Sequence, residues 1–228
     1  MPSFDLICLA NSRKLSERCI AGLRTDTGGW IRPVSKAEHG ELNYSERQLG
    51  PDGEPRNFDI IRVSLAKAHA APSQLENWLI NPESWRLIER PAPARFDVLV
   101  RRAIHSGEVL FDSLSDRVPE TTFHSKQARE SLVLIRPSDV RWITEEFHGR
   151  RKARVSFKLG NAQYALAVTD PSVEWDIKLK DLGRHTSEEL GLEESRTLFT
   201  VSLGEAFEGN CYKLVAAVLQ WPQDWPKL

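Results

Sequence analysis

Cysteine is scarce in this chain of 228 residues, and the three present, Cys8, Cys19 and Cys211, form no CxxC pair. An odd, scattered set suits reduced thiols better than a disulfide framework and offers no zinc-ligand spacing, so no metal site is expected. Net charge is equally sparse: 31 Lys and Arg against 32 Asp and Glu leave −1 at neutral pH. A whole-protein attraction for polyanions is thereby excluded, and any nucleic-acid contact has to come from a local basic face. Long apolar runs are missing as well. Leu6 to Ala10 is too short to span a bilayer, and the first residues lack a basic region followed by a long apolar core and a small-residue cleavage site. A cytoplasmic protein with no membrane partner is expected.

The common local signatures of catalysis are also absent: no GxSxG, HExxH, GxxxxGK[ST] or GxGxxG occurs. That removes the usual marks of hydrolases, zinc proteases, NTPases and nicotinamide enzymes, and no cofactor is expected. Cys8 and Cys19 sit in apolar strand-like segments, where a free cysteine behaves as a small buried hydrophobe rather than as a nucleophile paired with His39, His105 or His124. Binding is the leading expectation, and an enzyme acting on nucleic acid or a nucleotide through Cys8 or Asp170 is an alternative.

What is present is a β pattern. Runs of four to nine residues rich in Val, Ile, Leu, Phe, Tyr and Trp recur between Gly, Pro, Asn and Asp clusters. In the first half these are Phe4 to Ala10, Arg18 to Thr25, Trp30 to Ser35 and Phe58 to Ala68, the second and third forming a hairpin around Asp26-Thr27-Gly28-Gly29. Lys36 to Asn57 reads as a long surface loop. Pro72-Ser73 introduces a short helix through Gln74, Leu75, Trp78 and Leu79 with Ser73 as N-cap, Trp85 to Ile88 returns to strand, and Ala94 to His105 reads as a connecting helix.

The second half is more regular. Val140 to Glu146, Ala153 to Leu159 and Tyr164 to Thr169 form a meander; Asp170-Pro171 opens a helical stretch as N-cap and first helical residue; Leu198 to Leu203 and Tyr212 to Gln220 add two strands. Three strands, a helical connection and two strands is the order of an OB barrel. The expected class is mainly β with short helices, two fused OB-like barrels spanning 1–126 and 127–228, the first elaborated and a poorer match to the pattern.

Two basic surfaces stand out. Asn11, Ser12 and Lys14, read as a loop after the first strand, lie near Arg18 and face a hairpin carrying Trp30, Arg32 and Ser35; small donors and cations reach phosphates, and an exposed indole stacks on a base. A hairpin tryptophan is commonly half-buried core. The other surface is the hairpin with Arg150, Lys152, Arg154 and Lys158, in which alternation puts Lys152, Arg154 and Lys158 on one face and Val155, Phe157 and Leu159 on the other. A solvated outer face explains those cations equally well. Asp170 is explained by its N-cap role, and Tyr212 and Lys213 open the last strand with a ring and an ammonium.

Cys8-Leu-Ala-Asn-Ser-Arg-Lys14, Gly29-Trp-Ile-Arg-Pro-Val-Ser35, Val168-Thr-Asp-Pro171 and Cys211-Tyr-Lys-Leu-Val-Ala-Ala217 together resemble a bacterial family, the dual OB-containing domain. The resemblance implies two fused OB-like barrels that recognise nucleic acid or a nucleotide in bacterial antiviral-defence settings. It carries a binding role onto Asn11, Ser12, Lys14, Trp30, Arg32, Ser35, Asp170, Tyr212 and Lys213. The leading expectation is a module for single-stranded DNA or RNA. Alternatives are a nucleotide-sensing pocket between the barrels lined by Asn11, Lys14, Arg32 and Lys213, and a protein-interaction module with a partner in a multi-gene system.

Overall fold

The computed structural model describes residues 2–125 and 130–228. The chain forms two units: Met1–Ala103 with Lys126–Ser131 and Gln223–Pro226, and Ile104–Ser125 with Leu132–Pro222 and Lys227–Leu228. The turn-rich stretch after Ala103 therefore packs with the second unit. The boundary expected between 126 and 127 lies outside the described residues.

The first unit runs β1 (Ser3–Lys14), β2 (Glu17–Arg24), β3 (Trp30–Val34), α1 (Tyr44–Arg47), β4 (Ile60–Ala68), β5 (Asn77–Ile80), β6 (Arg86–Glu89) and α2 (Asp97–Arg102). Its strands pair in the order β1-β2-β3-β5-β4, and β4 pairs back onto β1, so Leu6 stands opposite both Arg24 and Ile61. β3 and β5 are parallel, with Arg32 opposite Asn77. This is the closed five-strand order of an OB barrel, and closure leaves the ring without free edges. Leu6, Cys8, Ile20, Ile31, Ile61, Val63, Leu65 and Trp85 form the core, yet Ile7 and Leu9 on the other face of β1 are also fully buried. A strand buried on both faces reads as an unbroken apolar run rather than an alternation. Gly22 is required where β1 and β2 come close, because a Cβ there would collide with the Ile7 carbonyl oxygen.

Three expectations for this half are corrected. Asn77–Ile80 is a strand, not part of a helix opening at Ser73; Ala71 and Gln74 bridge each other, and pairing with β3 and β4 overrides the helical spacing of Leu75, Trp78 and Leu79. The first barrel, expected to be the poorer match, has the complete ring. Asn11 to Lys14 are not a loop but the end of β1, paired with β2 as far as Lys14 opposite Glu17. The loop 36–57 is ordered by α1, whose Asn43 and Glu46 form a capping box, and by the buried Arg47.

The second unit contains β7 (Arg117–Pro119), α3 (Thr121–Ser125), β8 (Leu132–Ile135), β9 (Ser138–Phe147), β10 (Arg150–Leu159), β11 (Ala162–Val168), α4 (Pro171–Leu179), β12 (Gly183–His185), β13 (Thr197–Phe207) and β14 (Asn210–Gln220). Its sheet has the order β12-β9-β10-β11-β14-β13-β8, with β7 on β14 and a parallel β11–β14 pair. Strands β9, β10 and β11, helix α4, then β13 and β14 reproduce the expected order. β8 pairs with β13 and β9 with β10, so the two are halves of one first strand, interrupted at Arg136-Pro137, where proline supplies no N–H and Asp139 follows at φ 55°. The core is aromatic: Phe157 stacks on Tyr164 at 5.6 Å and meets Phe199 edge-on at 5.4 Å, while Trp142 meets Phe199 at 5.7 Å. Among the described residues no helix is long and apolar enough to cross a membrane.

Candidate functional site

The structure spends most of the first-unit candidates inside the fold. Trp30 is buried, so its indole offers no stacking face. Arg32 is buried too, its Nη2 3.1 Å from the Glu76 carboxylate and donating to Ser131 Oγ at 2.8 Å; Ser131 in turn donates to Glu76 through both its amide and its hydroxyl. The buried Ser12 hydroxyl donates to the Cys19 carbonyl, and Ser35 donates to the Glu41 carbonyl while accepting the Ala37 amide. Asn11 Nδ2 donates to the Pro55 carbonyl, and the Lys14 ammonium donates to the His39 carbonyl. Arg18 lies 3.6 Å from Glu54. Burial raises the Glu54 carboxyl, but Arg47 and Arg18 outweigh that and hold it below its ordinary range. These side chains tie β1, β2, β3 and the loop 36–57 together, and all five residues of β3 are buried.

The second unit is different. Along β10, Ala153, Val155, Phe157 and Leu159 are buried while Lys152, Arg154, Ser156 and Lys158 point outward, as alternation requires. The register carries this outer face across the sheet: Arg154 stands between Ile143 of β9 and Ala167 of β11, and Ala167 stands opposite Leu214 of β14. Two residues before Leu214, Tyr212 lies on the same side, and Arg117 of β7 is its cross-strand partner. The Arg117 guanidinium lies 4.8 Å from the Tyr212 ring centroid and donates to its hydroxyl at 3.2 Å. Lys152, Arg154 and Lys158 of β10, with Arg141 of β9, thus share one outer face of the sheet with Tyr212 and Arg117, and Arg117 contacts the ring. Arg150 is exposed at the start of β10, opposite Phe147.

The field of this face is partly balanced. Lys158 contacts Asp139 at 2.8 Å, Arg154 lies 3.9 Å from Glu145, and Arg117 bonds Asp116 at 2.8 Å. Asp139 is held low by Lys158, and Asp116 by Arg117 with a further contribution from Arg154. Five cations face three carboxylates, and the contacts are solvent-exposed pairs whose partners a polyanion can take over. Phe147 and Phe207, near the ends of the β9–β10 and β13–β14 hairpins, are 63% and 64% exposed.

Lys213 points the other way. It is 1% exposed, and its ammonium donates to the Ser113 and Ser115 carbonyls at 2.5 and 2.7 Å and lies 5.2 Å from the Tyr164 ring. The Tyr164 hydroxyl accepts the Leu110 amide and meets the Glu108 carbonyl at 3.0 Å. Lys213 and Tyr164 therefore pin the segment that delivers Arg117 to Tyr212. Asp170 is an N-cap: Oδ1 accepts from the Ser172 amide and hydroxyl, and Oδ2 accepts from the Val218 amide at 2.8 Å, fastening α4 to β14. Sequence reasoning missed Arg117; its strand is three residues long in a Ser- and Asp-rich stretch, too short for alternation to register.

A family model described as the dual OB-containing domain matches residues 4–218. The chain belongs to the dual OB-containing domain family. No curated protein matches this dual OB chain. A solved structure described as a murine DNA-binding protein bound with double-stranded DNA is similar at 8% identity and a TM-score of 0.33, the match covering 96% of the dual OB chain and all of that one. A likeness of that extent says nothing of what the dual OB chain binds.

Proposed function

We propose that this protein is a nucleic-acid-binding module that prefers single-stranded DNA or RNA, and that its interface is the outer face of β10, β11 and β14 in the second unit. One observation carries the reading: Lys152, Arg154 and Lys158 face outward along β10, and on the same sheet Arg117 lies against the partly exposed Tyr212 ring, whereas β3 of the first unit is buried throughout. OB barrels bind oligonucleotides through strands 2 and 3 and the loops joining strands 1–2 and 4–5, here β10, β11 and the two hairpin ends carrying Phe147 and Phe207. Cations that track a backbone and rings on which bases stack are what sequence-tolerant single-strand binding uses. The defence setting implied by the family resemblance belongs to the same reading and is tested by the neighbouring genes.

Fluorescence anisotropy of the full chain with labelled single strands and the matching duplex, at several salt concentrations, tests the proposal. The single strand is expected to bind more tightly than the duplex, with affinity falling as salt rises. Absence of binding at low salt overturns the reading, and equal affinity for the duplex overturns the single-strand preference.

A further inference from the structure

Within the first unit, a cleft of about 540 Å³ separates the turn Thr25–Gly28 from the segment Arg95–Ala103. That volume is in the range of small-molecule sites. The wall from α2 and the turn before it presents Arg95, Val98, Leu99 and Arg102, positions i, i+3, i+4 and i+7 of one helical face, so two guanidiniums stand at the ends of an apolar strip. Val98 is 49% exposed, although the buried Val100 on the same helix shows that apolar packing is available to this segment.

The charges in the cleft are unequal. Asp26 on the turn is neutralised by Arg24, which bonds both its oxygens at 2.9 and 2.6 Å and holds its carboxyl low. Asp97 bonds Arg101 on its own helix. Arg95 stacks over Phe96 at 4.9 Å and lies 3.5 Å from the partly exposed Glu89. Arg102 is exposed and has no hydrogen-bond or ion-pair partner among the described residues. The result is a positive cleft with an apolar strip, an aromatic ring and the hydroxyls of Thr25 and Thr27.

We infer that this cleft binds a nucleoside monophosphate, its phosphate on Arg102 and its base against Phe96, Val98 and Leu99. The paired recognition follows from the arrangement: a planar guanidinium takes a phosphate through two parallel bonds, and a flat ring covers the apolar strip that water otherwise wets. Phosphate alone gains nothing from the strip, and a nucleoside alone nothing from the arginine.

Isothermal titration of the full chain with adenosine and uridine 5′-monophosphates, adenosine and inorganic phosphate tests this. A monophosphate is expected to bind with Kd under about 1 mM, and adenosine and phosphate at least about tenfold more weakly. Arg102→Gln and Val98→Glu, both at exposed positions, each weaken the monophosphate by about tenfold or more, while Arg86→Gln, removing another exposed arginine of the same unit, leaves it unchanged. Failure of both monophosphates to bind, phosphate binding as tightly as they do, or equal losses in Arg102→Gln and Arg86→Gln would overturn the inference. Oligonucleotide anisotropy of Arg102→Gln is expected to match the parent chain, so the two proposals fail separately.

Discussion

Arg32 and Glu76 form an ion pair at 3.1 Å with side chains 3% and 0% exposed, and Ser131 bonds to both. The pair holds the parallel strands β3 and β5 in register from inside the first unit, with Arg32 directly opposite Asn77. Its charges are consumed by the fold.

Removing one partner leaves the other buried and uncompensated. Arg32→Met is therefore expected to destabilise the protein by about 3–5 kcal/mol, and Arg32→Met combined with Glu76→Leu to cost far less than the sum of Arg32→Met and Glu76→Leu made singly. Urea unfolding of the two single variants and the double variant measures this. Additive losses would refute the coupling.

Lys213 gives the protein a pH signature. Burial pulls its ammonium from 10.5 down to about 8, with Asp116 partly opposing. Between those values the unfolded chain holds a proton that the folded chain has released, so unfolding free energy rises with pH through the window; below about pH 8 both states are protonated and the contribution is constant. The rise is of order 1–3 kcal/mol. Burial pushes the neighbouring Cys211 thiol up, which acts in the opposite sense above its ordinary range. Comparing Lys213→Met with the parent isolates the lysine: the parent's unfolding free energy, relative to the variant's, should climb between about pH 7.5 and about pH 10. A flat difference would contradict the assignment.

Single-strand affinity should divide between charge and stacking. Arg154→Ala is expected to weaken binding and to reduce the salt slope by about 0.7 for each phosphate that the arginine neutralises. Tyr212→Ala is expected to cost about 1–3 kcal/mol with the slope nearly unchanged, and Tyr212→Leu to recover little, because an aliphatic group has no face for a base. Anisotropy titrations across salt separate the two effects; an unchanged affinity in both alanine variants would move the interface elsewhere.

Asp170 is expected to act on stability alone. Asp170→Ala removes the cap of α4 and leaves the buried Val218 amide without its acceptor, a loss of about 2–4 kcal/mol. Thermal unfolding reads the loss, and oligonucleotide affinity measured where the variant is still folded should be unchanged. A loss of affinity in the folded variant would give Asp170 a direct role in binding.

Legibility followed the range of the signal. The outward set Lys152, Arg154 and Lys158 was readable because a period of two is a local property of a strand with one buried face. β5 was not, because four residues without their partners resemble a helical turn, and β3, with which they pair in parallel, lies more than 40 positions earlier. Arg117 was hidden for the same reason, its strand being defined only by β14.

Sequence alone determined a mainly β protein of OB type, the strand order of the second barrel, the Asp170 cap and one cationic strand face. Tertiary structure alone decided that Arg32 and Lys213, both expected at a binding surface, are interior. Their partners sit 99 positions away at Ser131 and 100 positions away at Ser113. A lysine or arginine is spelled the same whether water or a carbonyl receives it, and only the folded chain brings the acceptor within reach.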